Sequence, residues 1–196
     1  MHKLQVLLIK HMNRMKKLLL TAALVAVLGF AATAQEQGDI RVGGGLALGT
    51  KAAVDENGTK AGLGINLGGE YFVTDIISIA PSYTFFFKST IDQPDGFGGN
   101  FESSIRYGSF NIDGRYYFSD GMFYGLAGLG IVSVKAEVSG FGAGSESEVG
   151  LNLGGGVMYP LSDTMFLNGQ LKYNTADLGD GSQLVINAGV LFTIGG

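Results

Sequence analysis

From Ile40 onward the chain alternates between an uncharged, mostly apolar set of residues and a polar or small set, through eight successive segments. The apolar parity reads Ile40, Val42, Leu46, Leu48, then Leu63, Ile65, Leu67, Tyr71, then Ile77, Ile79, Tyr83, Phe85, Phe87. It continues through Phe110, Ile112, Tyr116, Phe118; Tyr124, Leu126, Val132, Val134; and Val149, Leu151, Leu153, Val157, Tyr159. Met165, Leu167, Leu171, Tyr173 and Leu184, Ile186, Val190, Phe192, Ile194 complete it. A period of two predicts strands. Lipid neither hydrogen-bonds a backbone nor solvates a charge, so strands that keep one face free of charge and the other polar predict a closed barrel in a membrane. The pattern therefore predicts an all-β, eight-stranded antiparallel up-and-down transmembrane β-barrel. A soluble lipocalin-like barrel would need the reverse arrangement, apolar inside and polar outside.

Linkers alternate between long and polar (about 50–60, 89–104, 139–148 and 175–182) and very short (about 74–75, 119–121 and 160–163). Bacterial barrels show this asymmetry, with long loops outside the cell and tight periplasmic turns, so both termini are expected in the periplasm. A gapless repeat supports the regular architecture. LGINLGGEYFVTDIIS from Leu63 aligns with VGLNLGGGVMYPLSDTMF from Val149, with Asn66 and Asn152 both on the inward parity. Either duplication or shared barrel chemistry accounts for it.

Ahead of the strands, Lys16 and Lys17 precede an apolar run from Leu18 to Phe30 and the small-residue site Ala32-Thr33-Ala34, which is the layout of a secretory signal. The run is shorter than the ~20 residues a spanning helix needs. Residues 1–34 are thus expected to be a cleaved signal peptide, with Met15 a possible alternative start, and cleavage between Ala34 and Gln35 leaves residues 35–196 as one barrel domain. Five of the thirteen basic residues and both histidines fall in the leader while all seventeen acids follow it, so the remainder is strongly acidic. That excludes a nucleic-acid binder, which needs a basic face. It also leaves no His and no Cys, hence no disulfide and no lipidated cysteine, and membrane attachment must come from the strands.

The inward parity collects Asn66, Glu70, Lys88, Asn111, Asp113, Arg115, Lys135, Glu137, Asn152, Asn168, Gln170, Lys172 and Asn187. An isolated charge in a narrow interior is very costly, so Glu70, Asp113, Arg115 and Lys172 are expected to pair across the lumen. Such a network serves either as a structural plug or as a gate whose partners exchange to open a thin water path. Glycine runs such as Gly43-Gly44-Gly45 and Gly154-Gly155-Gly156 lie inside strands and precede no helix, so they read as packing sites and not as phosphate loops. The Asp and Gly residues of the loops fall short of a calcium-loop pattern, and no metal or cofactor is expected. Tyr71, Phe118, Tyr124, Tyr159 and Phe192 fall near the periplasmic ends and Phe85, Phe87 and Tyr173 near the outer ends, where rings anchor at headgroups. Pro81, within the third segment, predicts a bulge or local irregularity. Arg106 has lipid-face parity but lies far enough above Phe118 to clear the membrane.

The stretch FNIDGRYYFSDGMFYGLAGLGI from Phe110 to Ile131, with the glycine-rich alternating strands around it, resembles the small outer-membrane β-barrel domain of porin-family proteins, similar to OmpA-like, OmpX-like and OmpW-like barrels. The resemblance implies insertion by the barrel-assembly machinery into the outer membrane of a Gram-negative-type cell, as a monomer surrounded by lipid. No peptidoglycan-binding domain is expected after Gly196, and Phe192 stands in for the terminal aromatic of the assembly signal. Small barrel enzymes that this chain resembles in architecture rely on a catalytic His, which the expected mature part lacks, so no enzyme is expected. The remaining readings are a structural or surface-interaction protein, meeting an unknown extracellular ligand through loops such as Asp92 to Glu102 and Ser139 to Glu148, and a narrow porin or lateral conduit for small solutes.

Overall fold

A computed structural model describes residues 35–55, 58–94, 100–118, 121–138, 142–177 and 181–195. The expected signal segment and the Ala34 side of its cleavage site lie outside the described residues. The strands are β1 (Ile40–Asp55), β2 (Gly58–Thr74), β3 (Ile77–Phe86), β4 (Ser89–Pro94), β5 (Asn100–Tyr117), β6 (Phe123–Val138), β7 (Gly142–Pro160), β8 (Met165–Asn174) and β9 (Gln183–Gly195). Strands adjacent in sequence pair antiparallel except β3 and β4, which both pair with β5, and β1 closes on β9. The sheet is therefore a ring of eight staves in which β4 prolongs β3, and closure removes the free edges that a membrane cannot solvate.

Burial follows the alternation on seven staves. Leu46, Leu63, Leu67, Ile112, Leu151, Leu171 and Ile186 are exposed, while Ala47, Thr84, Asn111, Asn152, Lys172 and Asn187 are buried. The outward residues form a continuous apolar belt. On β6 the expected parity is wrong: Tyr124, Leu126 and Val132 are buried, and Phe123, Leu129 and Ile131 face outward. Between Phe123 and Val134 neither face carries a charge, so the pattern alone does not choose. The choice is made by the tight turn, which sets Tyr117 opposite Tyr124 and Arg115 opposite Leu126. Directly opposed residues share a face, so an inward Arg115 drives Leu126 inward. Lys135 and Glu137, expected inside, consequently project outside and are exposed. In that turn Gly121 takes a φ of 68°, which favours glycine, and accepts a 2.7 Å hydrogen bond from Gln35 Nε2 at its carbonyl.

Two further differences concern register. The β3–β5 ladder ends at Phe85↔Gly108 and the β4–β5 ladder begins at Ser89↔Ile105, so one extra residue sits at Phe87–Lys88. This slip turns Lys88 out of the lumen parity and onto the outer wall, where it is exposed. At Pro81 the expected irregularity takes the form of a gap in the ladder, without a slip. The β2–β3 pairing runs from Gly68↔Ser82 to Tyr71↔Ile79 in one register but omits the pairs between them, because proline has no N–H to donate toward β2.

Three of the four long linkers are mostly strand. β1 runs to Asp55 and β2 starts at Gly58, while β6 and β7 stay paired up to Val138↔Gly142. Above the belt water solvates both faces of a hairpin, so the alternation that reveals strands is lost although pairing continues.

Candidate functional site

The lumen is filled in three layers. At the end where β1 begins and β9 finishes, Phe72, Tyr117, Tyr124, Leu126, Met158, Phe166 and Leu191 form a buried cluster. Arg41, 1% exposed, lies within this layer, its guanidinium carbon 4.0 Å from the ring centre of Phe166 and 4.6 Å from that of Phe72. Cation–π contact with two faces compensates part of its lost hydration. At the loop end a second cluster joins Ala47, Ala52, Val54, Phe86, Tyr107 and Val185.

Between the two clusters lie the four charges singled out from the sequence, brought together as two ion pairs. Arg115 Nη1 donates to Glu70 Oε2 at 3.1 Å and its Nη2 to Gln170 Oε1 at 3.0 Å. Glu70 also accepts from the hydroxyls of Ser78 and Tyr117, so the carboxylate is surrounded by donors. Lys172 Nζ donates to Asp113 Oδ2 at 3.1 Å, and Asp113 Oδ1 accepts from Asn152 Nδ2 at 2.7 Å. Asn152 in turn links Asn111 and Asn174. All four charged side chains are at most 9% exposed. In so dry a setting a pair holds only when most of its remaining hydrogen-bonding capacity is met, which the surrounding amides and hydroxyls do, leaving Arg115 Nε without a hydrogen-bond partner among the described residues.

Glycine makes this filling possible. A Cβ on Gly130 would lie 2.6 Å from Asn111 Oδ1 and 2.7 Å from Asn174 Nδ2, and one on Gly156 would lie 2.4 Å from the Tyr124 hydroxyl. The glycines thus give up side-chain volume where a large side chain of the adjacent strand leans over them, Asn111 being paired directly with Gly130 and Tyr124 with Gly156. Beside the closing seam lies a cavity of about 30 Å³, lined by Gly43, Gly45, Asn66, Arg115, Asn187 and Gly189 among others. A water molecule needs ~15 Å³ on this measure, so the cavity admits one or two waters and no column of them.

Sequence reasoning missed Arg41, Ser78, Thr84, Tyr117 and Asn174. Arg41 was available to it: a lone cation between the lipid-facing Ile40 and Val42 has inward parity, and the register sets it directly opposite Glu70. Tyr117 was less so, because an aromatic residue beside Tyr116 and Phe118 is assigned to either face by the register alone. Among the described residues no group of three or more His, Cys, Asp or Glu side chains could hold a metal.

A closed ring of eight staves, an apolar outer belt and a polar interior define an integral membrane β-barrel. The chain belongs to the outer membrane protein beta-barrel domain family, whose pattern matches residues 20–192. Its fold is similar to that of Ail, the attachment invasion locus protein of Yersinia pestis, at 18% identity and a TM-score of 0.54, covering 80% of this chain and 97% of Ail. The N-terminal β-barrel domain of Pseudomonas aeruginosa OprF is similar at 18% identity and 0.53, covering 81% and 98%. Neisserial surface protein A is similar at 15% identity and 0.54, also covering 81% and 98%. No curated protein matches the chain in sequence. At these identities the likeness establishes the fold, and with the family it places the protein in the outer membrane.

Proposed function

We propose that this protein is a non-enzymatic outer-membrane barrel, closed along its axis, that acts as a structural or surface-interaction element through its loop end. The observation that carries the reading is the layered lumen: apolar clusters at both ends and paired charges between them. The charge network is then a plug that holds the staves together. Both termini face the periplasm, because the ends of β1 and β9 lie at the side of the short turns. The hairpin of β6 and β7, exposed from Gly142 to Ser147 and rich in Ser, Gly and Glu, is the surface offered to the outside.

Two measurements test this. Planar-bilayer recording of the refolded barrel, alongside Arg115→Ala, is expected to show no reproducible openings in the parent protein. Small openings whose size changes in the variant would instead support the second reading, a narrow pore gated at Arg115. The cavity beside Arg115 is the feature that favours that alternative. For orientation, Ser145→Cys introduces a thiol into a chain that has none. Intact cells treated with a membrane-impermeant maleimide are expected to label it fully, and labelling only after lysis would reverse the topology.

A further inference from the structure

Of the eight basic residues after position 34, Arg41, Arg115 and Lys172 are inside the barrel. Three of the remaining five meet on one patch of outer wall. Arg106 and Lys135 are directly opposed across β5 and β6, and both are exposed. Like charges directly opposite one another repel, so this pair is unfavourable in isolation. Lys88 joins them because of the extra residue between β3 and β4, and it reaches Glu102 at 3.8 Å. Arg106 forms no ion pair among the described residues. Glu137, hydrogen-bonded to Lys135, is held below the usual carboxylate range first by that bond, with smaller pulls from Arg106 and Lys88, so all three cations act on the same place.

Height along the wall gives the patch its meaning. The outward residues just below are Phe85, Phe87, Phe110 and Ile131, all at least 42% exposed, which form the upper margin of the apolar belt. Glu102 and Glu137 lie farther from the belt than Arg106 and Lys135 along their own strands. From the bilayer outward, the order is therefore apolar rings, then cations, then acids. Lipid phosphates occupy the plane directly above the acyl chains, which is the level of the cations.

We propose that Lys88, Arg106 and Lys135 form a binding site for the phosphate groups of lipids in the leaflet at the loop end, with the acyl chains lying on the rings below. An anionic headgroup between Arg106 and Lys135 converts their mutual repulsion into two attractions, and arginine adds bidentate geometry. The site itself depends only on the belt and the patch. Its assignment to the outer leaflet rests on the orientation proposed above, which the Ser145→Cys labelling tests separately.

The decisive experiment refolds the barrel into phosphatidylcholine vesicles containing a minor fraction of bisphosphorylated lipid A, and counts lipid A retained per barrel by native mass spectrometry after detergent extraction. Retention is expected to fall about thirtyfold in Arg106→Ser combined with Lys135→Ser, since each cation near a charged surface contributes about fivefold. Arg106→Lys is expected to keep most of it, and Lys60→Ser, whose cation pairs with Asp55 instead, to keep all of it. Lipid A stripped of its phosphates is expected to be lost from the parent protein, and inorganic phosphate alone is not expected to displace the intact lipid. Equal retention by the double variant, or of the phosphate-free lipid, would overturn the proposal, as would displacement by inorganic phosphate. Heat-modifiable migration on a gel shows that each variant is folded.

Discussion

Glu70→Ala is expected to destabilise the barrel by about 3–5 kcal/mol, the range for removing one partner of a buried ion pair. The size follows from what is left behind. Arg115 would lose the carboxylate at 3.1 Å and keep only Gln170 and the ring of Tyr124, while Ser78 and Tyr117 would lose their acceptor. Arg41, opposite Glu70 in register, would lose that neighbouring charge as well and keep its ion pair with Asp39 at 4.0 Å. Urea unfolding in lipid vesicles, followed by far-UV circular dichroism, measures the change. Pairing Glu70→Leu with Arg115→Met is expected to recover most of the loss, because a fitted apolar pair avoids the desolvation cost altogether. A loss below about 1 kcal/mol for Glu70→Ala would mean that water reaches Arg115, and with it the plug reading would fail.

Gly45→Val is expected to be comparably severe, costing about 3 kcal/mol, at the upper end of overpacking effects. Gly45 lies on the closing seam opposite Gly189, where a Cβ would sit 2.1 Å from the carbonyl oxygen of Ala188 and 2.3 Å from the Cα of Gly189. Those are backbone atoms, which no rotamer change can move aside. The variant is expected to fold with a weakened β1–β9 contact, visible as faster amide exchange on both strands together with the lower unfolding midpoint. Gly114→Ala provides the contrast, since its Cβ would meet nothing nearer than 3.6 Å and would point toward lipid. It is expected to stay within about 0.5 kcal/mol of the parent protein.

How far the sequence could be read depended on where charge occurs. Seven staves are legible because within the apolar belt each carries charged or strongly polar residues on one parity only: Glu70 on β2, Asp113 and Arg115 on β5, Lys172 on β8. β6 is not legible, since Tyr124, Leu126 and Val132 suit lipid as well as they suit the lumen, and its facing comes from the neighbouring strand through a turn. Lys88 fails for a related reason: parity counting assumes unbroken pairing, and a single extra residue inverts everything beyond it. The hairpins above the belt escape because their two faces meet the same solvent. The four charges of the lumen could be located one by one from parity, but which of them pair depends on the relative stagger of β2, β5 and β8, a property of the closed ring that no single segment records.

The sandwiching of the ion pairs between apolar clusters has a consequence for how the protein responds to its medium. Mobile ions screen charges they can approach, and they reach neither Glu70 and Arg115 nor Asp113 and Lys172. The cohesion of the staves is therefore indifferent to ionic strength, whether the cell sits in fresh water or in brine. Arg106 and Lys135, fully within reach of dissolved ions, obey the opposite rule, so a change of salinity alters how the barrel holds its surrounding lipid while leaving the barrel itself unchanged.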